Sequence, residues 1–357
     1  MKNSISHTEG ISLSSDISAD LAEFTVEFSN DKIFVILDSN TYNYCWSHVK
    51  TFRDIPENQV FIIEPGEENK TLSQVELVWN FLGEQKADRK SVVINIGGGM
   101  LTDLGGFAAS TFKRGIDFIN VPTTLLSMVD ASVGGKTGIN FRGLKNEIGV
   151  IQQAMHVFMY LPFLRTIDDE NYRSGFAEML KIAIIGDLKL WSDLKEFDLQ
   201  VKPEEEAARL IWRSVMIKKE IIELDPRETG IRKALNFGHT VGHALESLCL
   251  SENHHLLHGY AVAYGMTIEA SLSYSFASLS GSEVEDIQET IRRIYGQAPI
   301  ELKEREKLIA YMRFDKKNEH NQINFTLVNK IGSFKINNYI SEDHIGGAIS
   351  MKPPVSR

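Results

Sequence analysis

Apolar runs of strand length recur through the first half of the chain. Between them lie stretches whose apolar residues recur at helical spacing, such as Leu72–Gln85. The strand-like runs are Lys32–Asp38, Gln59–Glu64, Ser91–Ile96 and Gly115–Val121. Because an alternation of strand and helix favours parallel strands with helices on both faces of the sheet, this half is predicted to be an α/β domain of the nucleotide-binding type.

Beyond about Asp168 the pattern changes to long amphipathic helices. They are predicted over Asn171–Ile185, Glu204–Leu224, Ala234–Leu250, Gly259–Leu279 and Glu283–Tyr295. A last strand-like pair, Gln322–Val328 with Gly332–Lys335, predicts a small terminal hairpin. Since single hydrophobic cores stop growing at roughly 250–300 residues, we expect two domains, an α/β domain over residues 1–167 and a mainly α-helical domain over residues 168–357.

Charge and composition narrow the class of protein. The chain of 357 residues carries a net charge of −10, which disfavours a nucleic-acid-binding surface. Its two cysteines, Cys45 and Cys249, suggest neither a disulfide framework nor a thiolate metal site. Met1–Phe24 has no apolar stretch of signal-peptide length, and no later run approaches the roughly 20 apolar residues of a membrane helix. A cytoplasmic protein without a membrane partner is expected.

Three consecutive glycines, Gly97–Gly99, directly follow the predicted strand Ser91–Ile96 and precede a helical pattern over Leu104–Thr111. Glycines at such a turn let backbone amides approach a pyrophosphate, and the start of a helix favours negative charge. Thr102 occupies the third glycine position of the usual dinucleotide fingerprint. From the residues alone, a phosphate-binding turn and a tight turn without a ligand are equally good interpretations.

A second glycine-rich stretch, Ala131–Gly138, combines small residues with Lys136. It resembles a phosphate grip but lacks the spacing of a P-loop, so a P-loop ATPase is not expected.

Histidines in the second half suggest a metal site. His239 and His243 stand four residues apart on a predicted helix and therefore share a face, and His258 follows after a loop that contains His254 and His255. Imidazoles at this spacing suit zinc or a related divalent ion. A pair of histidines at this spacing is also a common surface coincidence. Glu178, on another predicted helix, is a candidate carboxylate ligand that spacing alone does not pair with the histidines.

Taken together, six ordered segments resemble the 3-dehydroquinate synthase family of sugar-phosphate cyclases. The segments are Gly97–Asn140, Leu144–Gly149, Gly175–Lys181, Leu235–Glu246, His258–Met266 and Asp315–Lys317. The resemblance extends from about Asp38 to Lys335. It implies a Rossmann-like α/β domain with a parallel sheet, a C-terminal α-helical domain, an active site in the cleft between them, and a homodimer.

The resemblance also assigns roles to individual residues. It places a Zn²⁺ or Co²⁺ ion on Glu178, His239 and His258, and it makes His243 a substrate-side histidine near the leaving phosphate. The NAD contacts that it implies are Asp38, Asn40, Glu67, Lys70, Gly98, Gly99, Met100, Leu101, Thr102, Asp103, Thr123, Thr124, Lys136, Lys145, Phe163, Leu164, Arg165 and Thr166. The implied substrate contacts are Asp130, Lys136, Asn146, Lys181, Lys218, Arg232 and Asn236, with Arg114, Lys316 and Lys317 at further phosphate-binding positions.

The reaction that the resemblance implies belongs to the shikimate pathway to chorismate and the aromatic amino acids. A seven-carbon sugar phosphate, 3-deoxy-D-arabino-heptulosonate 7-phosphate, is oxidised by NAD⁺, loses phosphate, is reduced again and closes by an intramolecular aldol reaction to 3-dehydroquinate. The nearer alternative is a cyclase that makes an inosose or a valiolone. Asn236 with Lys316 and Lys317 favours the dehydroquinate reaction. The more distant alternative is a metal-dependent polyol or glycerol-phosphate dehydrogenase, and a non-enzymatic binding module is a third.

Some residues have simpler interpretations or depart from the family pattern. Most lysines and arginines are solvated surface charges, but the matched family positions of Lys218 and Arg232 favour a functional role. The tryptophans at helical spacing, Trp79, Trp191 and Trp212, are expected to pack in the core or an interface. Thr102 stands where the family commonly has glycine, and its hydroxyl offers a donor to a phosphate.

Overall fold

Contacts between elements divide the chain into two units, Met1–Asp168 and Asp169–Arg357. The structure is a computed structural model that describes residues 4–142, 144–202, 204–252, 254–299, 304–313 and 322–350. Lys316 and Lys317 lie outside these described residues.

The first unit alternates strands and helices. Its strands are β1 (Ser4–Thr8), β2 (Ile11–Ser14), β3 (Ile33–Asp38), β4 (Val60–Ile63), β5 (Val92–Gly97), β6 (Asp117–Pro122), β7 (Lys136–Phe141), β8 (Leu144–Ile151) and β9 (His156–Met159). Its α-helices are α1 (Ile17–Phe24), α2 (Ser39–Tyr44), α3 (Trp46–Val49), α4 (Leu72–Glu84) and α5 (Gly99–Thr111). The four predicted strands are confirmed as β3, β4, β5 and β6, and the predicted helix after the second of them is α4.

Seven strands form one sheet in the order β1-β2-β9-β6-β5-β3-β4, and every pair except β1 with β2 is parallel. The chain leaves β3 toward β4 on one side, whereas it leaves β5 toward β6 on the other. In open parallel sheets, ligands bind beyond the carboxyl ends of the strands where the order reverses in this way. The candidate position for a ligand in this unit is therefore above the ends of β3 and β5.

Both faces of the sheet are buried, which explains why its strands are almost continuously apolar. Side chains alternate between the faces along β3. Phe34 and Ile36 belong to one core with α4 and α5, whereas Ile33, Val35 and Leu37 belong to another with α1 and α3. This double-faced core holds β3 and β5 side by side and fixes where their ends lie.

Two hairpins of the first unit were not predicted. The β1–β2 hairpin joins the edge of the sheet beside β9, where buried Ser12 hydrogen-bonds His156 at 2.9 Å. The β7–β8 hairpin is separate from the main sheet, and nearly every residue of β8 is exposed. β2 alternates apolar residues with serine but is only four residues long, and β8 is exposed along nearly its whole length, so neither hairpin stands out as an apolar strand pattern.

The second unit is mainly helical. Its α-helices are α6 (Asp169–Gly186), α7 (Leu188–Glu196), α8 (Glu204–Leu224), α9 (His239–Ser251), α10 (His258–Phe276), α11 (Gly281–Tyr295), α12 (Arg305–Arg313) and α13 (Glu342–Ser350). The expected hairpin is also present, as β10 (Ile323–Lys330) and β11 (Ser333–Ile340). None of the described helices is long and apolar enough to cross a membrane.

The predicted helix Ala234–Leu250 is wrong in its first turns. Residues Ile231–Asn236 form a 3₁₀ helix, and α9 begins only at His239. Gly238 separates the two because its φ of +80° is left-handed and does not continue a right-handed helix. His239 is consequently the first residue of α9, which determines where its side chain is held.

Candidate metal and dinucleotide sites

Three side chains from three different helices of the second unit come together as a possible metal site. Glu178 lies in the middle of α6, while His239 and His258 are the first residues of α9 and α10. Nε2 of each histidine lies 3.6 Å from Oε1 of Glu178. One donor atom from each residue lies within 4.8 Å of the other two. Two imidazoles with one carboxylate form a three-donor set that suits a catalytic zinc ion.

The tautomers of the two histidines fit a cation at this point. His239 Nδ1 lies 3.2 Å from the carbonyl oxygen of Phe237, and His258 Nδ1 lies 3.1 Å from Oε2 of Glu246. Both partners only accept hydrogen bonds, so each ring carries a hydrogen on Nδ1, and in its neutral form Nε2 presents the lone pair that a metal ion requires. Metal-binding histidines are typically oriented in this way by their second nitrogen.

The surroundings of Glu178 also show whether the site suits a bound cation. Its side chain is fully buried, and neither carboxylate oxygen accepts a hydrogen bond of good geometry from the described residues. The ammonium of Lys181 lies against Oε2, although not in hydrogen-bonding geometry. A buried carboxylate with unsatisfied oxygens is costly unless a cation neutralises it. The residues present therefore fit a divalent metal ion.

The pKa values of Glu178 and His258 are shifted in opposite directions by the charges that surround them. Burial raises the pKa of Glu178, but the charge of Lys181 and the contact with His258 outweigh burial and hold the pKa at about 2. Burial lowers the pKa of His258, but the carboxylates of Glu246 and Glu178 outweigh it and raise the pKa to about 10. The carboxylates thus favour positive charge at the centre of the site.

Glycines let the three helices approach closely enough to bring the donors together. A Cβ on Gly259, at the start of α10, would lie 1.9 Å from the carbonyl oxygen of Ser174 on α6. A Cβ on Gly265 would lie 2.0 Å from the carbonyl oxygen of Gly238, at the start of α9. No side chain fits at these distances, so the close packing of α10 against α6 and α9 requires glycine at both positions.

His243 lies one turn after His239 on α9 and is exposed. Its ring centroid is 5.2 Å from that of His239 and 5.9 Å from that of His258. His243 also forms a second possible donor group with Glu246 and His258. His254 and His255 are exposed loop residues, as expected.

Three cations predicted to contact substrate are buried in the second unit. Lys181, Lys218 and Arg232 are each at most 5% exposed, so Lys218 and Arg232 are not solvated surface charges. Arg232 lies in the 3₁₀ helix Ile231–Asn236, and Asp225 organises the loop that leads into that helix. The Asp225 carboxylate accepts hydrogen bonds from the backbone N–H groups of Thr229, Gly230 and Arg232 at 3.1, 2.7 and 3.1 Å.

The amide of Asn236, another predicted substrate contact, donates a hydrogen bond to Glu228 Oε1 at 2.6 Å.

In the first unit, the predicted cofactor residues gather at the carboxyl ends of the strands. Asp38 ends β3 and caps α2, accepting a hydrogen bond from Thr41. Gly98 precedes α5, and its N-cap position has no side chain to accept hydrogen bonds from the first turn. Thr123 follows β6, and its N–H donates to the carbonyl of Gly97 at 3.0 Å. A helix start exposed at this position is a ready site for an anion.

The helix of the glycine turn begins earlier than the sequence suggested. Met100–Thr102 lie in the first turn of α5, and Asp103 follows directly. Thr102 is 1% exposed, and its hydroxyl donates to the carbonyl of Gly99 at 3.2 Å. The hydroxyl hydrogen is thus held within the helix in this structure, and its donation to a phosphate stays a prediction.

Lys70 connects two parts of the first unit. Its ammonium donates to Asp103 on α5 at 2.6 Å and to the side-chain oxygen of Asn146 on β8 at 2.5 Å. Burial lowers the pKa of Lys70, but the charges of Asp103 and Glu67 outweigh burial, so the net shift is upward. Asn140 completes the network, since its side-chain oxygen accepts from the N–H of Asn146 at 2.9 Å. Asn146, predicted to contact substrate, thus shares a network with residues predicted to contact NAD.

The remaining predicted residues differ in their exposure. Side chains that are exposed are those of Asn40, Arg114, Lys136, Lys145, Arg165 and Thr166, and those that are partly buried include Glu67, Thr124 and Asp130. Phe163 and Leu164 are buried, and Phe163 packs in the core beneath the sheet. A ligand contact at Phe163 therefore has to use its backbone.

Sequence reasoning missed several residues that hold the predicted ones in place. Glu246 contacts His258, Asn140 contacts Asn146, and Asp225 organises the Arg232 loop. Only Glu246 has a sequence signal, because it lies seven residues after His239 and thus on the same face of a helix. The bond of Asn140 depends on the pairing of β7 with β8, and the bonds of Asp225 depend on the conformation of the turn that follows α8.

Comparison with known proteins gives the family. Among solved structures, 2-epi-5-epi-valiolone synthase from Streptomyces hygroscopicus subsp. jinggangensis has a similar fold, with a TM-score of 0.84 and 23% identity over 96% of both chains. Residues 60–174 match the family described as 3-dehydroquinate synthase N-terminal, and residues 175–318 match 3-dehydroquinate synthase C-terminal.

Curated relatives agree with this match. The 3-dehydroquinate synthase of Parabacteroides distasonis is 40% identical over 92% of this chain and 94% of its own length. The enzyme of Streptococcus pyogenes serotype M5 is 36% identical over 87% of both chains. A similarity of this extent, across both units and all six motif segments, places the chain in the 3-dehydroquinate synthase family.

Proposed function

We propose that the protein is a 3-dehydroquinate synthase, a carbon–oxygen lyase that converts 3-deoxy-D-arabino-heptulosonate 7-phosphate to 3-dehydroquinate and phosphate. The observation that carries the proposal is the 40% identity with the Parabacteroides distasonis enzyme over nearly the whole chain. The geometry of both units supports it, because each offers a candidate site for one of the two cofactors that this reaction requires.

NAD is proposed to bind the first unit above the ends of β3 and β5. The start of α5 would receive the pyrophosphate, since its first-turn N–H groups have no side-chain cap. Asp38, at the end of β3, is placed to accept hydrogen bonds from a ribose. NAD supplies a reversible hydride acceptor, whereas the chain supplies its position.

A divalent ion, Zn²⁺ or Co²⁺, is proposed to bind Glu178, His239 and His258 in the second unit. Mixed imidazole and carboxylate ligands suit both ions. Such an ion supplies Lewis acidity toward a substrate hydroxyl. Lys181, whose ammonium lies against Glu178, would keep that carboxylate ionised and add positive charge beside the reacting carbon.

The other cations of the second unit are proposed to hold the substrate's carboxylate and phosphate. Lys218 and Arg232 are buried, so an anion that reaches them is attracted through a medium of low dielectric constant. His243 is exposed beside His239 and can exchange a proton near the leaving phosphate. A substrate held at both ends stays in one conformation while elimination and ring closure proceed.

The valiolone and inosose cyclases remain the nearer alternative, because structures of these enzymes have the same fold at 23–24% identity. The higher identity to curated 3-dehydroquinate synthases, 36–40%, favours the dehydroquinate reaction. Dehydrogenases of similar fold are still more distant, such as a butanol dehydrogenase at 13% identity.

The decisive experiment is an assay with the heptulosonate phosphate, catalytic NAD⁺ and Zn²⁺ or Co²⁺. Free phosphate should accumulate far beyond the enzyme concentration, 3-dehydroquinate should be the carbocyclic product, and absorbance of NADH should stay flat. Turnover of a seven-carbon or six-carbon sugar phosphate to a valiolone or an inosose would instead identify another cyclase. Release of NADH in proportion to substrate consumed would identify a dehydrogenase.

Metal analysis tests the ligand set independently. Replacing His258 with alanine should lower the metal content and the rate together, because it removes one of three donors. Replacing His243 with alanine should leave the metal bound and lower only the rate. Equal loss of metal from both variants would contradict the assignment.

The protein is further proposed to act in the cytoplasm as a homodimer, as the family resemblance implies. Light scattering of the purified protein would test the dimer, with a mass of one 40.2 kDa chain as the contradicting result.

A further inference from the structure

Glu246 lies beside the proposed metal site but is not among the predicted metal ligands, NAD contacts or substrate contacts. It sits on α9 two turns beyond His239, and it is only 8% exposed. Its Oε2 accepts a hydrogen bond from Nδ1 of His258 at 3.1 Å. The bond joins α9 to the first residue of α10, twelve positions further along the chain.

This bond decides which nitrogen of His258 carries the hydrogen. A neutral imidazole has one N–H and one lone pair, and a carboxylate can only accept. With Nδ1 donating to Glu246, the lone pair of His258 stands on Nε2, the atom that lies 3.6 Å from Glu178 Oε1. The other tautomer would place a hydrogen where the metal ion is expected.

His239 provides an internal comparison. Its Nδ1 faces the backbone carbonyl of Phe237, which no side-chain substitution removes. His258 depends instead on a side chain. One of the two histidine ligands is therefore open to perturbation through its hydrogen-bond partner, while the other is not.

Glu246 is itself unsuited to bind the same ion as Glu178. Its carboxylate faces Nδ1 of His258, whereas Nε2 of that ring faces Glu178. The two nitrogens lie on different edges of the imidazole, so an ion on Nε2 is out of reach of an oxygen that is hydrogen-bonded to Nδ1.

We propose that Glu246 is a positioning residue that fixes His258 with its hydrogen on Nδ1 and thereby strengthens metal binding at Nε2. The proposal rests on the proposed function only in that His258 is a metal ligand. Partners of this kind typically contribute about 10- to 100-fold to metal affinity.

The test compares Glu246→Gln and Glu246→Ala with the unchanged protein by competition for Zn²⁺ against a chromophoric chelator. Alanine should weaken zinc binding by about 10- to 100-fold, and glutamine by less, because its neutral amide oxygen still accepts a weaker hydrogen bond. Glu220→Gln, an exposed glutamate on α8, is the matched control and should leave the affinity unchanged.

Two further measurements separate positioning from a general loss of structure. In the zinc-loaded protein, the Nδ1 proton of His258 should give a downfield resonance that moves in Glu246→Gln, and the visible spectrum of the Co²⁺-loaded protein should change. Thermal unfolding in the presence of chelator reports folding alone, and glutamine keeps the shape of the side chain if alanine prevents folding.

The outcomes distinguish this inference from the function on which it rests. If the unchanged protein binds neither Zn²⁺ nor Co²⁺, the proposed metal site fails. If His258→Ala loses the metal but both Glu246 variants bind zinc as tightly as the unchanged protein, with the Nδ1 resonance in place, the role of Glu246 is refuted and the metal site stands.

Discussion

Removing the carboxylate of Glu269 should loosen the start of the helix that carries His239. Glu269 lies on α10 and is fully buried. Its two oxygens accept hydrogen bonds from the N–H groups of Gly238 at 2.7 Å and Val241 at 3.2 Å. Gly238 is the N-cap residue of α9 and has no side chain with which to cap it, so a carboxylate from the neighbouring helix takes that role.

The size of the effect follows from these two bonds. A buried N–H that loses its acceptor costs about 1–3 kcal/mol, so two cost about 2–6 kcal/mol. A negative charge at a helix start adds about 0.3–2 kcal/mol. We therefore expect Glu269→Ala to destabilise the first turn of α9 by about 2–8 kcal/mol. Glu269→Gln should lose less, since it keeps one acceptor.

Hydrogen exchange is the suitable assay, because a chain of two units does not guarantee two-state unfolding. A destabilisation of about 3 kcal/mol corresponds to an increase of about 100-fold in the exchange rate of the Val241 amide, provided that exchange follows local opening. Glu289→Gln, an exposed glutamate on α11, serves as the control and should change little. Unchanged protection of Gly238 and Val241 in Glu269→Ala would refute the capping argument.

Three other perturbations have clear expected outcomes. In a urea titration, Gly265→Ala should destabilise the second unit by about 1–3 kcal/mol, since its Cβ meets the backbone at the start of α9. The control is Gly83→Ala, whose Cβ has nothing within 4 Å and which should be neutral or stabilising. Burial lowers the pKa of His156 to about 4 from 6.5, so stability should fall as the pH decreases from 6.5, by about 3 kcal/mol at pH 4. The free energy of unfolding of His156→Gln, measured in urea at each pH, should lack this fall between pH 6.5 and pH 4. The same pH dependence in both proteins would contradict the prediction. Asp225→Ala should release the loop of Arg232 and lower kcat/KM by about 10- to 100-fold with zinc affinity unchanged, and an unaltered kcat/KM would show that the loop holds without it.

Local patterns in the sequence determined most of the architecture. Strands buried on both faces, such as β3 and β5, are continuous apolar runs, and helices such as α8 have apolar residues at helical spacing. Both patterns reflect which side chains are removed from water, and that information is carried within a few residues. The glycines after β5 carry equally local information, because they mark the turn into α5.

Contacts between distant segments decided the rest. The sequence places His239 and His243 on one face of a helix, but it does not show that His239 pairs with Glu178, 61 positions earlier in the chain, through the packing of α6, α9 and α10. The β7–β8 hairpin had no signal of its own, and the bond from Lys70 to Asn146 depends on where that hairpin lies. Such pairings depend on packing and hydrogen bonding between segments far apart in sequence, which residue periodicity does not encode. The family resemblance implied the set of Glu178, His239 and His258, but only the tertiary structure gave the distances between these residues and the bond from Lys70 to Asn146.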